Sequence, residues 1–208
     1  PAMTAAQDSV VTPERYAQGR TWPQYLEYIG SPANLDRPAP RGNRPDNSER
    51  FKRNIDQYTI KPVHVAALKA LPSCKILTIG EDWCPDVYRG MPVIARLSEV
   101  SGMDMRVFPR DANLDIMDEF LNHGEHRSIP TMVFYTADLQ YLGVWIERPA
   151  LANQETAEIT KDLERDMAGK DEEDVRRARR ERLNARFPDW QKETVREIRE
   201  LLGQKLGI

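Results

Sequence analysis

Apolar residues in the middle of the chain alternate between a spacing typical of strands and one typical of helices. Short runs rich in β-branched and aromatic residues predict strands at 75–79, 104–108, 131–136 and 140–146. Apolar residues at helical spacing predict helices at 85–100 and 113–122. The resulting order, β-α-β-α-β-β, predicts an α/β fold with two right-handed βαβ-type crossovers and a closing hairpin. Its sheet is expected to be mixed and covered by helices on both faces.

The first 60 residues differ from this middle region, because they are polar and rich in proline. Helices are predicted to begin at Pro13 and after the capping residues 46–48, with a loop over 30–45 between them. A further helix is predicted from Pro62. We therefore expect residues 1–60 to form a helical N-terminal extension and residues 61–208 to form the main domain.

From about residue 150 the sequence predicts a long, charged helical extension. Helical spacing and a break at Gly169 predict a first helix with apolar positions at Ile159, Leu163 and Met167. Residues 172–186 predict a solvated helix whose arginines pair with neighbouring acids, and binding of an anionic partner is the alternative. Asp189 is expected to cap a last amphipathic helix that packs on the sheet. Such long amphipathic additions also allow a homodimer.

Composition narrows the classes of function that the chain could serve. The 208 residues include only two cysteines, which excludes a disulfide scaffold and a zinc site built from clustered thiols. A net charge of −3 gives no general attraction to nucleic acid or to an acidic membrane, so neither is expected as a partner. With few cysteines and no pattern typical of a secretory signal, a cytoplasmic protein is expected.

The candidate chemistry lies at Cys84, where a predicted strand gives way to a predicted helix. Pro85 suits the first turn of that helix. A thiol in this place faces unpaired backbone N–H groups and the positive end of the helix dipole, and both favour the thiolate. Carboxylates at Glu81, Asp82 and Asp86 act in the opposite direction. The direction of the net shift in the thiol pKa is therefore left open.

The segment Trp83-Cys84-Pro85-Asp86-Val87 resembles the WCxxC active site of the thioredoxin superfamily, in the branch that carries WCPDC. Pro92 within the following helix and Gly143 in the last strand agree with that resemblance, as does a closing C-terminal helix. The segment Ser128-Ile129-Pro130-Thr131 resembles the cis-proline loop of the superfamily. The resemblance implies a thioredoxin-like mixed β-sheet flanked by helices, with the extra helices at both ends falling outside it.

The resemblance also implies which residues form the site. Cys84 would be the nucleophile, and the backbone of Ile129 would pair with the substrate chain. The substrate groove would consist of Trp83, Pro85, Asp86, Val87, Ile129 and Pro130.

The sequence departs from the superfamily pattern at the second cysteine, which is replaced by Val87. Valine cannot resolve a mixed disulfide, as the second thiol of the dithiol cycle does. Cys74 is not a substitute, because a strand from residue 74 to 80 spans about 20 Å and a disulfide needs Cα atoms within about 7 Å. We expect Cys74 to be a small buried residue.

Three interpretations of Cys84 remain open. It is a monothiol redox centre whose partner is a protein thiol or disulfide and whose resolving thiol is external, such as glutathione. Alternatively, the protein is a redox-inactive scaffold that binds a partner protein through its groove or its charged C-terminal helices. A metal site recruiting His123 and His126 is the least favoured, so no metal and no cofactor other than an external thiol are expected.

Overall fold

The structure, a computed structural model, describes residues 9–207, so residues 1–8 of the predicted N-terminal extension and Ile208 lie outside it. Its centre is a mixed sheet in the order β2-β1-β3-β4, formed by β1 (Cys74–Gly80), β2 (Asp104–Pro109), β3 (Thr131–Thr136) and β4 (Tyr141–Ile146). β2 runs parallel to β1, whereas β3 runs antiparallel to β1 and β4 antiparallel to β3. The predicted α/β thioredoxin-like fold is confirmed.

The helices surround this sheet and extend it at both ends. In chain order they are α1 (Pro13–Ala17), α2 (Trp22–Ile29), α3 (Pro32–Leu35), α4 (Ser48–Asp56), α5 (Pro62–Lys69), α6 (Pro85–Ser101), α7 (Leu114–Met117), α8 (Ala150–Asp166) and α9 (Glu172–Leu206). No helix in residues 9–207 is both long enough and apolar enough to cross a bilayer.

The second predicted βαβ crossover is wrong, because β3 lies on the far side of β1 and antiparallel to it. The helix predicted over 113–122 is also shorter than expected and ends at Met117. Positive φ angles at His123 and Gly124 turn the chain back after it. The sequence pattern of a strand does not show its direction. A third parallel strand would need a longer connection that crosses back to the edge of the sheet where β1 and β2 begin, and the short α7 does not provide it.

The N-terminal helices pack on the same core as the sheet. Helix α1 begins at Pro13 as predicted, and the Thr12 side chain caps it by accepting a hydrogen bond from the backbone N–H of Arg15. The backbone of Arg20 pairs with that of Val107, so this segment covers the free edge of β2. The predicted loop over 30–45 contains the short helix α3, in which Asn34 is fully buried.

The predicted helix start at Asp189 is wrong, because α9 runs through Pro188 without a break. Glu155 of α8 accepts hydrogen bonds from Arg186 and Trp190, which lie on either side of the proline. Contacts with α8 on both sides of Pro188 thus hold α9 together where its own sequence would end it. The last part of α9 packs on the sheet as expected. There a Cβ at Gly143 would lie 2.8 Å from Leu201 Cδ2, so any side chain at this position would require Leu201 to shift.

Candidate functional site

The Cys84 thiol sits at the start of α6. Cys84 is the N-cap residue, and its N–H donates a hydrogen bond to the Glu81 carbonyl at 3.0 Å. Its carbonyl in turn accepts from the N–H groups of Val87 and Tyr88, both at 3.1 Å. This tight turn places the side chain at the helix N-terminus, where backbone N–H groups favour negative charge.

The loop that contains Pro130 lies directly against the thiol. The Sγ atom of Cys84 is 3.9 Å from the Ile129 carbonyl oxygen, and the Ile129–Pro130 peptide bond is cis. The pyrrolidine ring packs near α6, since a Cβ at Gly90 would lie 3.5 Å from Pro130 Cγ. The structure therefore brings together Cys84, Ile129 and Pro130, which are far apart in sequence.

The pKa of the Cys84 thiol is raised above its ordinary value, mainly by burial. The nearby backbone N–H of Val87 lowers this pKa, the charge of Asp86 raises it and the charge of Arg110 lowers it. The helix N-terminus alone therefore does not make this thiol acidic in the resting protein.

Asp86 lies beside a half-buried arginine and is itself half-buried. Its Oδ2 atom lies 3.4 Å from Nη2 of Arg148, which also contacts Glu147. Burial raises the pKa of Asp86, and Arg148 partly opposes that shift. Burial disfavours the charge on Arg148, but Asp86 and Glu147 outweigh it and raise the arginine pKa; the Cys84 charge adds to this effect. The interaction of the Arg148 charge with the Cys84 thiol was not predicted from the sequence.

The other predicted groove residues are exposed to different degrees. Pro85 is exposed at the first position of α6. Val87 is 0% exposed and packs against Gly80. A Cβ added at Gly80 would lie 3.0 Å from both Cγ atoms of Val87. Val87 therefore supports the turn from inside the protein and does not line its surface.

Cys74 is 4% exposed and opens β1, whereas Cys84 follows the end of the same strand. Both cysteines are free, and burial raises the pKa of Cys74. The expectation that Cys74 is a buried residue remote from the site is confirmed.

Buried charges hold the turn that precedes Cys84. Glu81 and Asp82 are both almost completely buried, and Arg44 contacts both carboxylates. Arg37 adds a contact to Glu81 at 2.7 Å, and the Asn47 side-chain amide donates to the Asp82 carbonyl at 3.0 Å. Burial still raises the pKa of Asp82, although Arg44 opposes it. Sequence reasoning missed these partners; two adjacent acids in a buried turn were the signal that cations had to come from elsewhere.

Arg110 joins the site from the 3-10 turn Arg110–Ala112, which follows β2. Its guanidinium lies over the Trp83 ring, with Cζ 5.5 Å from the ring centroid. The histidines considered as metal ligands lie in an exposed loop, where His126 is 3.9 Å from Glu125. Within residues 9–207, no three His, Cys, Asp or Glu side chains are grouped as metal ligands.

Comparison with known proteins gives a family match and two similar folds. A protein-family model described as thioredoxin matches residues 40–168, which is more than half of the chain. No curated protein matches the chain. A crystal structure of a protein of unknown function from Pseudomonas aeruginosa has a TM-score of 0.61 at 12% identity, covering 91% of this chain and 95% of the other. That of an HIV epitope-scaffold also has a TM-score of 0.61, at 13% identity, with 95% and 99% covered. At these identities each comparison shows only that the chain has a similar fold.

Proposed function

The chain belongs to the thioredoxin family, and on that premise we propose that it is a thiol-disulfide protein of monothiol type with Cys84 as its nucleophile. The observation that carries this proposal is the position of the Cys84 thiol. This thiol belongs to the N-cap residue of α6 and lies 3.9 Å from the Ile129 carbonyl, beside the cis bond to Pro130. Within residues 9–207, the remaining thiol is buried at the start of β1.

The proposed reaction uses one protein thiol and one external thiol. The Cys84 thiolate attacks a sulfur of a disulfide, a new S–S bond joins Cys84 to that sulfur, and the other sulfur leaves as a thiolate. A thiolate from outside the chain, such as that of glutathione, then attacks the mixed disulfide. This second step releases the Cys84 thiolate and forms a new external disulfide, so electrons balance without a second cysteine in the protein.

The proposed substrate groove runs along the surface beside the thiol. Trp83 and Asp86 flank Cys84 within the turn, and Pro85 is exposed between the thiol and the helix. Ile129 and Pro130 form the opposite side, where the backbone of Ile129 would pair with the substrate chain. Val87 supports the groove from beneath.

A second candidate function is a redox-inactive scaffold that binds a partner protein. The observation in its favour is the raised pKa of Cys84, since a mostly protonated thiol reacts slowly near neutral pH. Under this alternative the groove or the charged helices α8 and α9 would contact the partner, and the thiol would serve only as a packing group.

Mass spectrometry after incubation with oxidised glutathione tests the monothiol proposal. The wild-type protein should gain one glutathione adduct on Cys84, and Cys74→Ser should behave in the same way. Cys84→Ser should gain none. Absence of an adduct under conditions that modify a free peptide thiol would favour the scaffold instead. Retention of partner binding by Cys84→Ser would support that alternative.

A further inference from the structure

Arg110 connects two loops that carry the candidate site. Its Cζ atom lies 5.5 Å from the centroid of the Trp83 ring, and Trp83 directly precedes Cys84. Its Nη1 group donates to the Arg127 carbonyl at 3.3 Å, in the loop that leads to Ile129 and the cis bond. One side chain thus contacts both the turn that carries Cys84 (the cysteine turn, residues 81–87) and the loop that carries the cis bond (the proline loop, residues 127–130).

The 3-10 turn Arg110–Ala112 is held in position relative to Cys84 through one residue, Glu81. The Glu81 carbonyl accepts the N–H of Cys84 at 3.0 Å, and its carboxylate accepts the N–H of Asp111 at 2.9 Å. That carboxylate is itself held by Arg37 at 2.7 Å and by Arg44 at 3.0 Å. The residue adjacent to Arg110 is therefore anchored to a buried network, so the arginine starts from a rigid position.

We propose that Arg110 is a positioning residue of the thiol site, which fixes the Trp83 indole and brings positive charge to Cys84. This inference rests on the proposed function in that it assigns Arg110 to the same site. A planar guanidinium suits the role, because it can stack on an aromatic face while donating hydrogen bonds at its edge.

Arg110 is engaged by fewer carboxylates than Arg148, the other positive charge that interacts with the thiol. Asp86 disfavours the thiolate, and Arg148 on that side is engaged by Asp86 and Glu147. The acids Glu81 and Asp82 are paired with Arg44. Arg110 contacts one carboxylate, that of Asp111 at 2.8 Å, which is 43% exposed to solvent and therefore screened. Its charge lowers the pKa of Cys84 against the effect of burial.

The test measures the ionisation of Cys84 and the environment of Trp83 in a Cys74→Ser background, so that only one thiol is labelled. Iodoacetamide alkylation is followed from pH 6 to 11 in Arg110→Gln, Arg110→Lys and the parent. Arg127→Gln is the matched control, because its side chain pairs with the exposed Asp118 and its carbonyl alone contacts Arg110. The NMR resonance of the Trp83 indole N–H, assigned by its loss in Trp83→Phe, reports the environment of the ring.

Arg110→Gln should slow alkylation at pH 7.5 by about threefold and move the midpoint of the profile upward. Arg110→Lys, which keeps the charge, should restore most of that rate but still shift the Trp83 resonance, because an ammonium lacks the planar stacking group. Arg127→Gln should change neither signal.

An alkylation profile of Arg110→Gln that coincides with that of Arg127→Gln would overturn the proposal. Should Arg110→Gln fail to fold, the folded Arg110→Lys variant decides, and an unshifted Trp83 resonance there would also overturn it. Iodoacetamide reports thiol ionisation whether or not the protein exchanges disulfides. A lack of glutathione adducts together with an Arg110 effect would therefore reject the monothiol function and leave the assignment of Arg110 intact.

Discussion

The Nη1 atom of Arg44 lies 3.0 Å from the Oε2 atom of Glu81, and neither side chain exposes any surface to solvent. The same guanidinium also contacts Asp82, and Glu81 is shared with Arg37. The turn that presents Cys84 is thus stabilised by buried charges from a segment far upstream in the chain.

Loss of the Arg44 guanidinium should destabilise the protein strongly. Arg44→Met leaves two buried carboxylates short of a counter-charge, and breaking a buried pair from one side costs about 3–5 kcal/mol. Urea denaturation at pH 7 measures the loss in the free energy of unfolding. Arg41→Met, at an exposed position in the same loop, is the control and should change stability by less than about 0.5 kcal/mol. Equal stability of the two variants would show that the buried cluster has little weight.

A second thiol at position 87 should restore a dithiol site. Residue 87 lies one helical turn from Cys84 at the start of α6, so a cysteine there can approach the first thiol. We expect Val87→Cys to form an internal disulfide on oxidation and to raise insulin reduction on the order of tenfold above the wild type. The double variant Cys84→Ser/Val87→Cys serves as control and should remain inactive. If Val87→Cys showed no gain, the thiols would not meet in this turn.

Stability should fall in acid partly because of His64. Its Nδ1 atom lies 3.3 Å from Nη1 of Arg199, and burial, Arg199 and Lys61 all lower the pKa of the imidazole. The unfolded chain therefore binds this proton first as the pH falls below about 6.5, so stability is lost from there downward. Comparison of urea midpoints at pH 7.5 and 5.5 should show a smaller loss in His64→Gln than in wild type. His126→Gln, in an exposed loop, should keep the full loss.

A side chain at position 143 should press on the Leu201 side chain of α9 and destabilise the protein. The Cβ of Gly143→Ala would lie 2.8 Å from Leu201 Cδ2, and overpacking of this kind costs about 1–3 kcal/mol. In Leu201→Ala the obstructing atoms are absent, so adding Gly143→Ala to it should cost much less. Thermal unfolding of both single variants and the double variant measures this coupling. Additive losses would mean that α9 does not limit the space at Gly143.

The sequence predicted the parts of the fold that depend on local signals. The β-branched run that forms β1 and the prolines that open α1 and α6 all lie within a few residues of what they determine. Arg44 and Glu81 are separated by 37 residues, so their pairing has no local signature. The antiparallel direction of β3 and the passage of α9 through Pro188 also depend on distant contacts, which outweigh the local pattern.

The residues of the candidate site also fall into two groups, those that the sequence motif located and those that the fold brings to it. The motif located Cys84, Ile129 and Pro130, and these lie together in the structure. Arg110 and Arg148 could not be found in this way, because they belong to no motif. The fold brings Arg110 over the Trp83 ring and lets the Arg148 charge act on the thiol. The pKa of Cys84 likewise depends on how deeply the turn is buried, which spacing alone does not reveal.

The upstream origin of Arg37 and Arg44 bears on how the protein can be dissected. A fragment that starts at residue 61 would contain the whole cysteine turn, yet it would hold Glu81 and Asp82 as two buried acids without their cations. Any expression fragment intended to report on Cys84 should therefore start before Arg37. Graft designs that transplant the turn into another scaffold face the same requirement.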